Sequence, residues 1–119
     1  MNKTLMTSVK LQKKLHYKLL QHIINDGYGM RGKSRWIIEA IEAFLKLPDY
    51  PTLVDIADDM DQLSDVVSVR MPEPLMVRID QSIIQVRKFF PAMEGVKSNL
   101  IRASIIQRLI RGTTSVTEV

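Results

Sequence analysis

The sequence contains no cysteine, which excludes disulfides and thiolate metal sites and leaves the redox compartment open. It also lacks any apolar run near the roughly 20 residues a membrane helix requires. Its start, Met1-Asn2-Lys3-Thr4, lacks the apolar core of a signal peptide. A cytoplasmic protein with no membrane partner is expected. One stretch, Leu47 to Asp65, has no lysine or arginine but carries six acids: Asp49, Asp55, Asp58, Asp59, Asp61 and Asp65. Of the 17 bases and 13 acids in the chain, that leaves 17 bases against 7 acids elsewhere, a net of +10. A basic surface of that density favours polyanions such as nucleic acid. What remains is ordinary for one folded domain: 119 residues, 45% hydrophobic and 25% charged.

A pattern recurs along the chain. Thr7-Ser8-Val9-Lys10-Leu11 is echoed by Val67-Ser68-Val69-Arg70-Met71, and both alternate as a strand does when one face is dry and the other wet. The wet faces match, Ser8 with Ser68 and Lys10 with Arg70. Leu15 and Leu75, four residues beyond each segment, open helical patterns. In the first, Leu15, Leu19, Ile23 and Ile24 share a face, and Asn25-Asp26-Gly27 is expected to stop the helix, with Gly27 in the left-handed closing conformation. Gly32 can cap a second helix, whose buried stripe is Ile37, Ile41, Phe44 and Leu45 and which Pro48 ends.

The acidic stretch reads as a linker with a short helix of about eleven residues. Thr52 is its candidate cap, and Leu53, Ile56, Met60 and Leu63 lie at helical spacing. The repeat then resumes: Pro72 and Pro74 mark a helix start, Leu75, Ile79, Ile83 and Val86 an apolar face, and Lys97-Ser98 a last helix with Ile101, Ile105 and Leu109 inward. Gly112 is expected to close it, leaving residues 113–119 as a tail. The offset between repeats is 60 in the strands and 64 at Lys33-Ser34 and Lys97-Ser98, so the second inter-helix turn is expected to be about four residues longer.

One strand with two helices cannot pair its strand or bury its apolar face alone. Two such units can, with the strands forming an antiparallel ribbon and the helices covering one side. The expected fold class is therefore mainly α with a short two-stranded antiparallel ribbon. Residues 1–46 and 66–112 are the two units of an intramolecular pseudo-dimer, and 47–65 is the linker.

This arrangement resembles the ribbon-helix-helix DNA-binding proteins of the Arc/MetJ superfamily. The segment VSVRMPEPL is similar to the strand-and-turn signature of the phage-repressor branch. The doubling within one chain is similar to the TraY-type accessory proteins of conjugative transfer. The resemblance implies that Met6, Ser8, Lys10, Val66, Ser68 and Arg70 face the bases of double-stranded DNA in the major groove. Met6 and Val66 depart from the polar residues commoner there. It further implies phosphate contacts at the starts of the second helices, from Arg31, Gly32, Lys33, Ser34 and Arg35 and from Lys97 and Ser98, where amide groups and the helix dipole favour anions.

The segment GYGMRGKS from Gly27 to Ser34 satisfies both the phosphate-loop pattern and the dinucleotide pattern. Both need a strand before the glycines and a parallel sheet behind them. What precedes Gly27 is a helical pattern, and the repeat keeps Lys-Ser but replaces the glycine by Val96. His16 and His22, six apart, fall on different helix faces and are not a ligand pair, and Trp36 is expected to pack inside. The expectation is a DNA-binding protein without catalytic residues, metal or cofactor, acting as a transcriptional regulator or as an accessory factor at the transfer origin of a mobile element. Further copies of itself, a relaxase or another mobile-element protein are its expected partners. An antitoxin, a partition protein, a nucleotide-binding protein or a protein adaptor are the alternatives.

Overall fold

The computed structural model describes residues 3–29, 31–57 and 62–111. Their order is β1 (Thr4–Gln12), α1 (Lys13–Asn25), α2 (Lys33–Phe44), α3 (Tyr50–Ala57), β2 (Leu63–Pro72), α4 (Glu73–Phe89) and α5 (Val96–Arg111). The fold is mostly helical, with β1 and β2 paired antiparallel into a two-stranded sheet.

Alternation dictates the ribbon. Val9, Leu11, Val67, Val69 and Met71 are buried, while the residues between them are exposed. The register sets Met6 opposite Arg70, Ser8 opposite Ser68 and Lys10 opposite Val66. Both strands outrun the five residues expected of each. β2 begins at Leu63, inside the stretch read as linker, because those residues continue the pairing down to Gln12 opposite Leu63, past an irregularity between Leu11 and Gln12.

Leu19 and Ile23 on α1 and Trp36, Ile37, Ile41 and Phe44 on α2 complete one side of the core, and Leu75, Ile79 and Val86 on α4 the other. α5 is the central helix. It packs against β1 and all four other helices, and its residues from Asn99 to Ile105 are all buried. Among the described residues no helix is long and apolar enough to cross a membrane.

α1 closes as its sequence requires. The Tyr28 amide donates to the Ile23 carbonyl at 3.0 Å and the Gly27 amide to Ile24 at 3.1 Å, with Gly27 at φ +82°. This pair of bonds needs a left-handed residue at Gly27. Ile24, expected inward, is instead exposed, one position past the stripe of Leu15, Leu19 and Ile23. α2 ends at Phe44, before Pro48, in a tightened turn where Leu47 donates to the Phe44 carbonyl at 3.0 Å.

Two further expectations are corrected. Among the described residues the linker helix is Tyr50–Ala57, with Val54 and Ala57 buried and Ile56 exposed, and Leu63, expected on its stripe, belongs to β2. Thr52 lies inside it, not at its cap, because Pro51 suits the first turn, where no amide hydrogen is needed. Met60 and Gly112 lie outside the described residues. The four-residue offset falls inside a helix, not in a turn: α4 has 17 residues and α1 has 13. One extra helical turn keeps the added residues in phase with the buried stripe.

Candidate nucleic-acid interface

The six residues expected to face bases all lie on the exposed side of the ribbon, gathered from strands sixty residues apart. Met6 and Val66 are each 60% exposed. Ser8 and Ser68 face each other at the centre, and on either side a cation lies opposite an apolar residue, Arg70 with Met6 and Lys10 with Val66. The strands contain one acid, Asp65. Its carboxylate takes a 2.8 Å bond from the His16 ring and a 3.0 Å bond from the Ser64 hydroxyl. The His16 bond, more than the contacts with Ser64 and Lys13, holds the Asp65 carboxyl below the ordinary range against the opposing effect of partial burial. The outward positions between Met6 and Lys10 and between Val66 and Arg70 therefore present only neutral and cationic groups.

The main chain behind these side chains is pinned from the flanks. The Arg70 amide donates to the Ser34 hydroxyl at 3.0 Å, so it points away from β1. Opposed pairs in an antiparallel ladder alternate between bonded and non-bonded types. Hence Met6·Arg70, Ser8·Ser68 and Lys10·Val66 are all of the non-bonded type, and their N–H and C=O groups turn to the outer edges. On the far edge the Lys10 carbonyl accepts from Arg102 of α5 at 2.9 Å. Thus α2 braces β2 and α5 braces β1, each beneath a cationic candidate.

The expected phosphate-contact residues fare unequally. Gly32 does not fit as an anion donor, since its amide already bonds the Gly29 carbonyl at 3.1 Å. A Cβ at this position would fall 2.5 Å from the Tyr28 carbonyl oxygen, so turn packing accounts for the glycine. The amides of Lys33, Ser34 and Arg35 precede the first backbone bond of α2, made by Trp36, and those of Lys97 and Ser98 precede that of α5, made by Asn99. The Ser34 hydroxyl accepts from Arg70 and retains a proton to donate. Arg31 is exposed. Arg35 bonds Glu39 at 3.2 Å and lies 5.6 Å from the Tyr28 ring centre, although its side chain is largely exposed.

The segment GYGMRGKS follows α1, a helix, and its lysine and serine begin α2. The strand that a phosphate loop requires in front of its glycines is absent there. Trp36 is fully buried, as expected, with its indole N–H on Asp26 at 2.9 Å.

Two arginines escaped the sequence reading. Arg102, 5% exposed, joins the Lys10 carbonyl to the Asn99 side chain. Arg108 donates to the Trp36 carbonyl at 2.7 Å and to the Tyr28 hydroxyl at 2.9 Å, and its guanidinium lies 4.5 Å from the Trp36 ring centre. Tyr28 in turn donates to Glu39. Burial of Glu39 pushes its carboxyl up, but Tyr28, Arg35 and Arg108 together bring it below the ordinary value. One signal for Arg102 was present: from Asn99 to Ile105 it is the one charged residue in a run that is otherwise apolar or small and polar.

No family model, curated protein or solved structure matches the chain.

Proposed function

We propose that the chain is a sequence-specific binder of double-stranded DNA that reads the major groove with its ribbon. In this reading the protein is of the ribbon-helix-helix type, and two units, residues 1–46 and 66–112, form a pseudo-dimer within one chain. The observation that carries it is the ribbon itself: one face is sunk in the core, and the other presents Ser8, Lys10, Ser68 and Arg70 with no acid among the reading positions. From Met6 to Lys10 is about 13 Å at roughly 3.4 Å per residue, or four base-pair steps at about 3.4 Å each. A major groove about 12 Å wide admits a two-stranded ribbon.

The register supports the pseudo-dimer. Ser8 pairs with Ser68, the residue sixty positions on, so the axis that exchanges the repeats passes between them. The crossed bracing of β2 by α2 and of β1 by α5 supports it too, because neither unit covers its own strand's outer edge at these points.

Arg70 donates two parallel bonds to guanine O6 and N7, Lys10 a less directional one, and each serine donates or accepts. Met6 and Val66 meet thymine methyl groups. Lys33 and Lys97, with the amides beside them, hold phosphates and set the register. Because the two strands differ, the preferred site is asymmetric. Such contacts suit a transcriptional regulator or a transfer-origin accessory factor, and they require no cofactor.

Selection from a random duplex library, followed by affinity measurement, tests the proposal. Arg70→Ala is expected to weaken the selected site by about 1–3 kcal/mol and to relax one base preference, whereas Lys33→Ala weakens all sequences alike. An equal loss on selected and random duplexes for Arg70→Ala would remove it from base recognition.

A further inference from the structure

The ribbon has two ends, and the one beside α1 carries a cluster of three lysines that the other does not repeat. Where β1 runs into α1 and β2 begins, a half-open groove of about 1060 Å³ is lined by Lys13, Lys14, Tyr17, Lys18, Gln62 and Ser64, among others. Tyr17 is 64% exposed. Lys13 approaches Asp65 at 3.8 Å, but its side chain is 82% exposed and can swing to another anion. The opposite end lacks this chemistry. Sixty residues on, Lys13, Lys14, Tyr17 and Lys18 become Glu73, Pro74, Val77 and Arg78. The formal charge of +3 on these four residues becomes zero, although Lys3 stands at the opposite end and Asp65 at this one, and the aromatic ring is lost.

An open groove rimmed by lysines on one helix, with amide and hydroxyl groups across from them, suits an extended chain of negative charge. Being half open, it does not bury most of a small molecule as enclosed sites do. Lysine binds phosphate as a point charge without demanding a fixed approach. The Gln62 side-chain amide adds a hydrogen-bond donor for phosphate or sugar oxygens. The groove adjoins Gln12 at the end of β1, two residues beyond Lys10 and past the irregularity between Leu11 and Gln12.

We infer that this groove binds the phosphodiester backbone of the duplex beyond the base pairs read by the ribbon, and on that side alone. The inference rests on the DNA-binding reading above and adds to it a polarity: the protein covers more duplex past Lys10 than past Met6. The charge difference gives the direction of binding a second determinant, independent of the bases.

The test compares the wild-type chain with the triple variant Lys13→Gln, Lys14→Gln, Lys18→Gln on a duplex selected by the wild type, using footprints and the salt dependence of binding. Thermal unfolding of both proteins establishes that these exposed changes leave the fold intact. The variant is expected to lose protection at one end of the footprint. Its slope of log affinity against log salt should fall by about 2 to 3, since each released phosphate contact contributes roughly 0.9. An unchanged slope with both footprint ends intact would overturn the inference, while the base-specific loss in Arg70→Ala would still stand for the function. A variant that keeps its full duplex footprint but loses binding of a single-stranded oligonucleotide overturns the flank assignment as well. A wild-type chain that binds no duplex overturns the function itself, and Arg70→Ala then changes nothing.

Discussion

α2 and α5 perform the same task with different chemistry. α2, which follows β1, fixes the outer edge of β2 through the Ser34 hydroxyl accepting from the Arg70 amide, and α5, which follows β2, fixes that of β1 through the Arg102 guanidinium donating to the Lys10 carbonyl. Ser34 is half-buried at the first turn of its helix, whereas Arg102 is buried two turns into its own. The difference extends inward. At the offset of 64, Trp36 corresponds to Leu100, Ile38 to Arg102, Glu39 to Ala103 and Phe44 to Arg108. The recurring sequence pattern thus accommodates polar anchors at some positions of one helix where the other carries apolar filling.

The comparison is broken most severely at Arg102. Arg102→Ala is expected to cost about 3 kcal/mol, since it strips donors from the Lys10 carbonyl and the buried Asn99 side chain. Urea unfolding gives the number, and a loss below 1 kcal/mol would mean that α5 does not anchor β1. Next comes Trp36→Leu, which gives α2 the residue α5 carries at the equivalent place. It removes the indole bond to Asp26 and the Arg108 stacking surface, for about 2 kcal/mol. Ser34→Ala should cost only about 1 kcal/mol, the usual net value of one hydrogen bond. If Ser34→Ala proved as damaging as Arg102→Ala, the two braces would be equal and the asymmetry drawn here would fail.

The smallest effect concerns the ribbon ends. Asp65 bonds His16 at the end near Lys13, whereas the residues sixty positions away in the sequence repeat are Leu5 and Met76. A carboxyl whose folded pKa is depressed stabilises the fold above its unfolded pKa, near 4 for aspartate. That contribution is lost as pH falls through the folded value. Asp65→Asn should therefore be the less stable protein at pH 7, with the gap closing toward pH 3 in urea midpoints. A gap that stays constant across that range would show that the pair does not respond to acid.

Much of the layout was legible from alternation and repetition. The period of two around Ser8 and Ser68 selects which side chains face out, and this demands no knowledge of neighbours, because strand geometry alone alternates faces. The stripe Leu15, Leu19 and Ile23 was legible for the same kind of reason, a period near 3.6. Ile24 was misplaced because a stripe edge is decided by what packs there. The start of β2 at Leu63 was missed because an acidic composition looks like linker, while pairing with Gln12 turns it into strand.

The site shows the same division. Ser34 was picked as a helix-start hydroxyl, but its bond to the Arg70 amide links residues 36 positions apart, which no local spacing announces. Arg102 and Arg108 went unassigned, since a charged residue is rarely buried without partners and nothing nearby in sequence announces them. Their partners, the Lys10 and Trp36 carbonyls, are 92 and 72 residues away.

By itself the order of residues determined the periods: which positions alternate, which recur, where the left-handed glycine closes α1, and where positive charge gathers. Only the folded chain decided the company those residues keep, including the crossed bracing of the ribbon, the central place of α5 and the lysine groove at one end. Periods follow from backbone geometry within a few residues, whereas partners depend on which distant segments bury each other's surface.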